Sequence, residues 1–451
     1  MSALVWLRGD LRITDNRALH AAATAHQSVA AVFHDTPGQW RRHGDAPAKI
    51  DFIRRNVALL QPALAAGGVT LHVLRSDTYA QAPDQLAALA TTLGTTDLYF
   101  SAQHPVNERR RDAAVARRLA MQGVQTHCLT DATFFKPGTI RTQTGGRYKV
   151  FSPFKRRLLS TLTAAHTEVL PAPWTWTPTA DDDGLWPAGE AEAQRRLAAF
   201  AAQRMAGYDT DRDLPALDAT SRLSPYIMAG VLSPRQCLAA ARRVPGVGSE
   251  VWISELIWRE FYQHVVVGWP RVSRGQAFRL QTESVAWRNN TAEFEAWCQG
   301  RTGIPLVDAA MRQLVTEGWM HNRLRMVTAQ FLTKNLLIDW RWGERFFMKH
   351  LIDGELAANN GGWQWSASTG TDAAPYFRVF NPVSQSRRFD QKGTFIRKHL
   401  PELSSLQGRE IHDPAPLTRA ALGYPAAIVE LKSSRQRAID AFKAAAAQPA
   451  T

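Results

Sequence analysis

A doubly wound α/β domain followed by a larger all-α domain is the fold class that the sequence predicts, on three observations. Up to about residue 130, five short runs rich in β-branched and aromatic residues alternate with alanine-rich stretches of helical period. From about residue 190 the period stays helical almost to the end. Between them lies a stretch rich in proline and tryptophan that has neither period. At 451 residues the chain is long enough for two domains. The expected division is an α/β domain over 1–130, a connector over 131–195 and a helical domain over 196–451.

The candidate strands are LVWLR (4–8), VAAVF (29–33), TLHVL (70–74), DLYFS (97–101) and QTHCL (125–129). A helical stretch between consecutive strands makes each connection a crossover, so the sheet should be parallel and the domain Rossmann-like. The first strand runs into Gly9-Asp10-Leu11-Arg12 and not into a Gly-x-Gly-x-x-Gly turn, so the usual pyrophosphate cradle of dinucleotide enzymes is absent. The connector holds YKVFSPFKRR (148–157) and PAPWTWTPTADDDGLWP (171–187), whose prolines and tryptophans suit an ordered wrap better than a flexible linker. Beyond it come LAAFAAQRM (197–205), a long helix around 250–267 and another over 305–338. The closing AIDAFKAAAAQPAT reads as a helix fraying into a tail.

Fifty-four basic and 40 acidic residues leave a net charge of +14, which suits a partner built of phosphates. The first 130 residues carry 14 basic and 10 acidic side chains and the remainder 40 and 30, so the charge is spread evenly and locates no groove. Arginines make up 44 of the basic residues, and their planar forks match phosphate. Cys128, Cys237 and Cys298 lie far apart, with no metal or disulfide spacing, which fits a reducing cytoplasm. The N-terminal MSALVWLRGDLR lacks a cleavable apolar core, and no apolar run reaches about 18 residues, so a soluble intracellular protein is expected.

Four stretches carry chemistry. Asp353 to Tyr376, DGELAANNGGWQWSASTGTDAAPY, sets two acids, two adjacent amides, a Gly-Gly break and two tryptophans within 13 positions, a pattern of neither amphipathic helix nor strand. Its glycines are expected to turn the backbone and admit a ligand closely. TSRLS (220–224) places Thr220 and Ser221 ahead of a helical run, as caps or as an anion site with Arg222 beside them. In ELIWREFY (255–262), Glu255, Trp258, Arg259 and Tyr262 share one helix face. In WMHNRLRM (319–326), Asn322 and Met326 share another, with Arg325 one residue before Met326. Taken singly, these read as caps, surface pairs and core.

Together the four motifs resemble the flavin-binding core of the photolyase/cryptochrome family. The resemblance runs over roughly residues 3 to 430 and is strongest to class I photolyases, which repair cyclobutane pyrimidine dimers. It implies non-covalent FAD in the helical domain, with the pyrophosphate at Thr220, Ser221, Arg222, Leu223 and Ser224 and Tyr208 nearby. Glu255, Arg259, Asn322, Arg325, Asp353, Glu355 and Asn359 are implied as further contacts, with Arg325 paired to Asp353 and Asn359 facing flavin N5. Glu255, Trp258, Asn322, Met326 and Trp365 are implied as the lesion pocket, with Trp258 and Trp365 walling a flipped dimer. Trp363, Trp340 and Trp287 match a relay that carries electrons between flavin and surface. In the first domain, His43, Asn107 and Glu108 match an antenna site for methenyltetrahydrofolate. A deazaflavin or no antenna are the alternatives, because Ser273 and Arg274 replace an expected Cys-Lys pair. Close relatives carry Asp-Gly-Asp where this chain has Asp353-Gly354-Glu355, which puts the contact geometry of Glu355 in question.

The activity so implied is light-driven electron transfer from reduced FAD to a cyclobutane dimer flipped out of single- or double-stranded DNA. A deoxyribodipyrimidine photo-lyase of this kind needs no metal. A monomer in the cytoplasm is expected, associated with the bacterial nucleoid through its DNA. A signalling cryptochrome is the main alternative, disfavoured by the lack of a long C-terminal tail. A (6-4) photolyase is the other, disfavoured because histidine is expected where Asn322 stands.

Overall fold

The computed structural model describes residues 2–447. All five expected runs are strands: β1 Ser2–Leu7, β2 Ser28–Asp35, β3 Thr70–Arg75, β4 Thr95–Ser101 and β5 Gln125–Leu129. They form one parallel sheet in the order β3-β2-β1-β4-β5, with Val5 beside Ala31 on one side and Tyr99 on the other. Leu4, Val5, Trp6 and Leu7 are completely buried. Helices cover both faces of such a sheet, so its central strand reads as one continuous apolar run.

Strand order reverses at β1, where an open α/β sheet has its natural ligand crevice. Here that mouth is filled from within. Asp10, wholly buried, accepts the Arg8 backbone N–H at 2.8 Å and the Ser101 hydroxyl at 2.6 Å. The Arg8 guanidinium in turn donates to Asp112 at 2.6 Å and to the Ser101 carbonyl. Where a dinucleotide enzyme has its glycine-rich turn, this chain has charged side chains bound to one another.

Two compact units emerge. One comprises the chain as far as Asp209, Ser221–Pro270 and Ile352–Glu355; the other comprises Thr210–Thr220, Arg271–Leu351 and the chain from Leu356 onward. In the first unit the helix Pro234–Arg242 is tied to the α/β part by four buried charges. Arg12 donates to both oxygens of Asp131, at 2.8 and 2.7 Å, while Arg235 reaches Asp131 at 2.7 Å and Asp15 at 2.8 Å. Burial pushes the Asp131 carboxyl up, but the two guanidiniums outweigh it and hold it below its ordinary value.

The second unit packs around Trp297, Met311, Leu314, Met320, Leu324 and Phe331, all buried. Its helices depart from the sequence expectation in two places. The run 305–338 is not one helix: it stops at Glu317, Gly318 takes the left-handed φ of 64°, and a second helix spans Asn322–Gln330 before a π-helical turn at Phe331–Asn335. The Gly-Gly pair also breaks nothing, because Leu356–Ala367 is a continuous helix through both glycines. Asn359, Asn360, Trp363, Gln364 and Ser366 are buried on several sides of it, which erases the one-faced period that sequence reading depends on. No described helix is long and apolar enough to cross a membrane.

Candidate functional site

In the first unit, the helix Val247–Gly268 presents Glu255, Trp258, Arg259 and Tyr262 at helical spacing. Trp258 lies flat on Phe151, ring centroids 3.7 Å apart and planes 8° apart, with Tyr262 at 5.6 Å. Glu255 is half-buried beside this aromatic group on the same helix. Arg259 donates to the Ala132 carbonyl at 2.5 Å and stands 3.7 Å from Glu355, whose other oxygen accepts from Gln263. Glu355 therefore directs both oxygens at side chains of the protein itself. Asp353 is buried two residues away.

Thr220 and Ser221 do not cap a helix. The helix here is only Ser224–Met228, its N-cap is Leu223, and no side chain caps it. Ser221 Oγ instead accepts the Leu223 N–H at 3.4 Å, Leu223 is fully buried, and Arg222 holds a left-handed φ of 49°. A non-glycine residue in that region costs about 1 kcal/mol or more, and such strain gathers at ligand clamps. Tyr208 is buried with its ring edge-on to Phe200 at 5.7 Å.

In the second unit, the helices Trp340–His350 and Leu356–Ala367 pack so closely that a Cβ on Gly343 would fall 2.1 Å from Trp363. Asn359 Nδ2 donates to the Glu344 carbonyl at 3.0 Å, which aims the amide and leaves its Oδ1 with no donor among the described residues. One residue on, Asn360 Nδ2 donates to Glu344 Oε1 at 2.8 Å, and Gln364 Nε2 donates to Asn360 Oδ1 at 2.8 Å. Burial, opposed by the Asn360 hydrogen bond and by Arg345 and Arg341, pushes the Glu344 carboxyl up to about 7. Nothing in the sequence singled out Glu344; its one local signal is an acid on an otherwise apolar helix face.

Trp363 and Trp340 are buried and Trp287 is half-buried, its ring edge-on to Phe442 at 5.8 Å. Trp363 contacts Phe347 at 4.9 Å, and its indole N–H finds no acceptor among the described residues. Trp365 is half-buried. Asn322, exposed, opens its helix under the His321 cap, with Met326 one turn further and Arg325 Nε bound to the Met320 carbonyl at 2.8 Å.

His43 and the adjacent pair Asn107 and Glu108, which begins 64 residues further along the chain, come together in the first unit. His43 Nε2 lies 3.1 Å from Asn107 Nδ2 and 2.8 Å from Gln39 Nε2, and its Nδ1 lies 3.7 Å from Glu108. The Tyr79 hydroxyl donates to Glu108 at 3.2 Å, and Arg111 stacks over the Tyr79 ring at 4.5 Å. Burial, helped by Glu108, pushes that hydroxyl up and keeps it a donor. Gln39 on the helix Pro37–His43, Arg111 on the helix Val106–Ala120 and Tyr79 on a short turn of its own have no mutual spacing in the sequence, and only folding brings the three together.

Residues 3–174 match the family model described as DNA photolyase, and residues 252–444 match the FAD binding domain of DNA photolyase. A deoxyribodipyrimidine photo-lyase of Salmonella typhimurium is 44% identical, with 98% of each chain covered. A bacterial class III photolyase from Agrobacterium tumefaciens superimposes with a TM-score of 0.86 at 31% identity, covering 99% of this chain and 98% of its own. A Synechocystis cryptochrome superimposes with a TM-score of 0.85 at 27% identity, covering 97% and 98%. With both family models matched in order, and full-length relatives well above 30% identity, the chain belongs to the DNA photolyase family.

Proposed function

We propose that this protein is a deoxyribodipyrimidine photo-lyase that uses blue light and FAD to split cyclobutane pyrimidine dimers in DNA. The observation that carries the reading is Asn359, a buried amide aimed by the Glu344 carbonyl with its oxygen left for a ligand, on the same helix as Trp363 and Trp365. FAD would supply an excited-state electron donor. The chain's residues fit such a group. A Cβ on Gly362 would meet nothing, so a planar ligand can approach the backbone there. The strained turn Thr220–Ser224 offers hydroxyls and backbone N–H groups to a pyrophosphate. Tyr208, Arg259, Arg325, Asp353 and Glu355 belong to the same proposed set, Glu355 by holding Arg259 and Gln263.

Glu255 and Asn322 hydrogen-bond the edges of the flipped pyrimidines in this reading. Trp258 and Trp365 offer ring faces for stacking, and Met326 packs on the dimer. Electron transfer needs proximity and a dry, polarisable surround, and no group here has to move a proton from the substrate. Trp363, Trp340 and Trp287 form the relay in this reading, the first two buried and the last half-buried. His43, Asn107 and Glu108, with Tyr79, form the antenna site; methenyltetrahydrofolate is the proposed occupant. The helical remainder of the chain is proposed to hold both FAD and DNA, and the protein to act as a cytoplasmic monomer. Illumination of the reduced protein with dimer-containing oligonucleotides, single- and double-stranded, should restore intact pyrimidines, with none restored in the dark. Light-independent or absent repair, with flavin bound, would favour the cryptochrome reading that the Synechocystis likeness keeps open.

A further inference from the structure

A cavity of about 610 Å³ lies within the second unit and shares no lining residue with the sites above. That volume is the size of a small-molecule pocket. Its apolar lining comes from Cys298, Met311, Val315 and Phe346. Phe346 and His350 lie against one another, ring centroids 4.1 Å apart. His350 Nδ1 donates to the Phe346 carbonyl at 2.8 Å, which leaves its Nε2 as an acceptor. His399 also lines the cavity; its Nε2 is buried with no partner among the described residues, and burial pushes the imidazolium down to about 4, so the ring stays neutral. The rim carries Lys398, 61% exposed, whose surface pair with Glu317 at 3.4 Å is weak.

Behind Phe346 the aromatic contacts continue inward. Phe346 meets Trp297 edge-on at 5.5 Å, and Trp297, wholly buried, meets Trp363 edge-on at 6.0 Å. Two contacts therefore join the cavity to the innermost tryptophan of the proposed relay, by a route that uses neither Trp340 nor Trp287.

We propose that this cavity binds a small planar aromatic reductant bearing an anionic group, and that Trp297 carries an electron from it to oxidised Trp363. The inference rests on reading Trp363 as a relay residue. The ring of a catechol would stack on Phe346 and His350 and its carboxylate would face Lys398. One electron leaves the catechol, passes through Trp297 and returns the Trp363 radical cation to neutral indole. The phenolic O–H breaks, its proton goes to His350 Nε2, and the ligand departs as a phenoxyl radical. Trp297 is the oxidisable step; Phe346 shortens the gap.

Caffeate is a suitable probe, titrated in the dark into the FAD-loaded protein by calorimetry. Wild type should bind it saturably. Val315→Trp should weaken binding by about tenfold or more, because Val315 is 52% exposed at the wall and an indole there fills the space. Lys398→Gln should weaken caffeate but not 4-methylcatechol, which lacks the carboxylate. In a Trp287→Phe background, flavin photoreduction should saturate with caffeate, and adding Trp297→Phe should abolish that dependence. Absent saturable dark binding, or binding indifferent to Val315→Trp, overturns the cavity; photoreduction indifferent to Trp297→Phe overturns the electron route. Failure of the relay reading looks different: Trp287→Phe alone leaves photoreduction untouched while dark binding persists, an outcome that upholds the cavity.

Discussion

At Asn359 the choice of an amide over an acid decides the electrostatics next to the proposed flavin. The side chain is neutral at every working pH, and its Nδ2 is committed to the Glu344 carbonyl. A carboxylate there would set a second negative charge beside a cofactor whose working reduced form is anionic. Two unit charges 4 Å apart repel by about 4 kcal/mol at an effective dielectric of 20. Asn359→Asp is expected to keep FAD but to resist full reduction and lose most repair; flavin spectra of both proteins under one reductant and one lamp decide it. Glu255→Ala is expected to keep FAD and slow repair, since a pyrimidine edge left unmet costs about 1–3 kcal/mol. Unchanged repair yield and DNA binding would remove Glu255 from the pocket.

Glu344 adds a pH dependence. Its folded value of about 7 exceeds the ordinary 4.5, so between these values the folded state holds a proton that the unfolded chain has lost. Stability from this group is full below about pH 4.5 and falls as pH rises through 7, by up to about 3 kcal/mol. Glu344→Gln retains an acceptor for Asn360 and cannot ionise. The expected result is that the variant is more stable than wild type at pH 8 and equal to it near pH 4.5, in urea unfolding across that range.

Between elements, the contact that matters most is Gly343 against Trp363. The helices Trp340–His350 and Leu356–Ala367 approach closely enough for Asn359 and Asn360 to reach Glu344 only because position 343 has no side chain. Gly343→Ala puts a methyl into the Trp363 ring and Leu332, and overpacking of that kind costs about 1–3 kcal/mol. The variant is expected to melt lower and to show an altered tryptophan-to-flavin photoreduction rate; an unchanged melting temperature would mean the helices can part without loss.

Across the molecule, long-range order in the first unit rests on charges that are individually costly to bury. Arg12, Asp15, Asp131 and Arg235 are each at most 1% exposed and join segments more than 100 residues apart. Removing one member strands the others, at about 3–5 kcal/mol. Arg235→Met is therefore expected to lower the urea midpoint sharply, and adding Asp15→Leu should recover part of the loss. Equal midpoints for wild type and Arg235→Met would show the network to be dispensable.

Local sequence by itself determined the five strands, their parallel direction, the long Val247–Gly268 helix and the residue types of the site, because those follow from short-range period, from crossover connections and from motifs whose members lie within a dozen positions. Only the tertiary structure decided the rest. The helix through Gly361-Gly362 forms because neighbours bury it on several sides, overriding two poor helix formers. Thr220 and Ser221 leave the cap role because Leu223 is pulled into the core and Arg222 is strained to allow it. Glu344, Tyr79 and the four buried charges take their character from partners distant in sequence, and the loss of water that shifts the Glu344 carboxyl and the Tyr79 hydroxyl most happens only once the chain has closed around them.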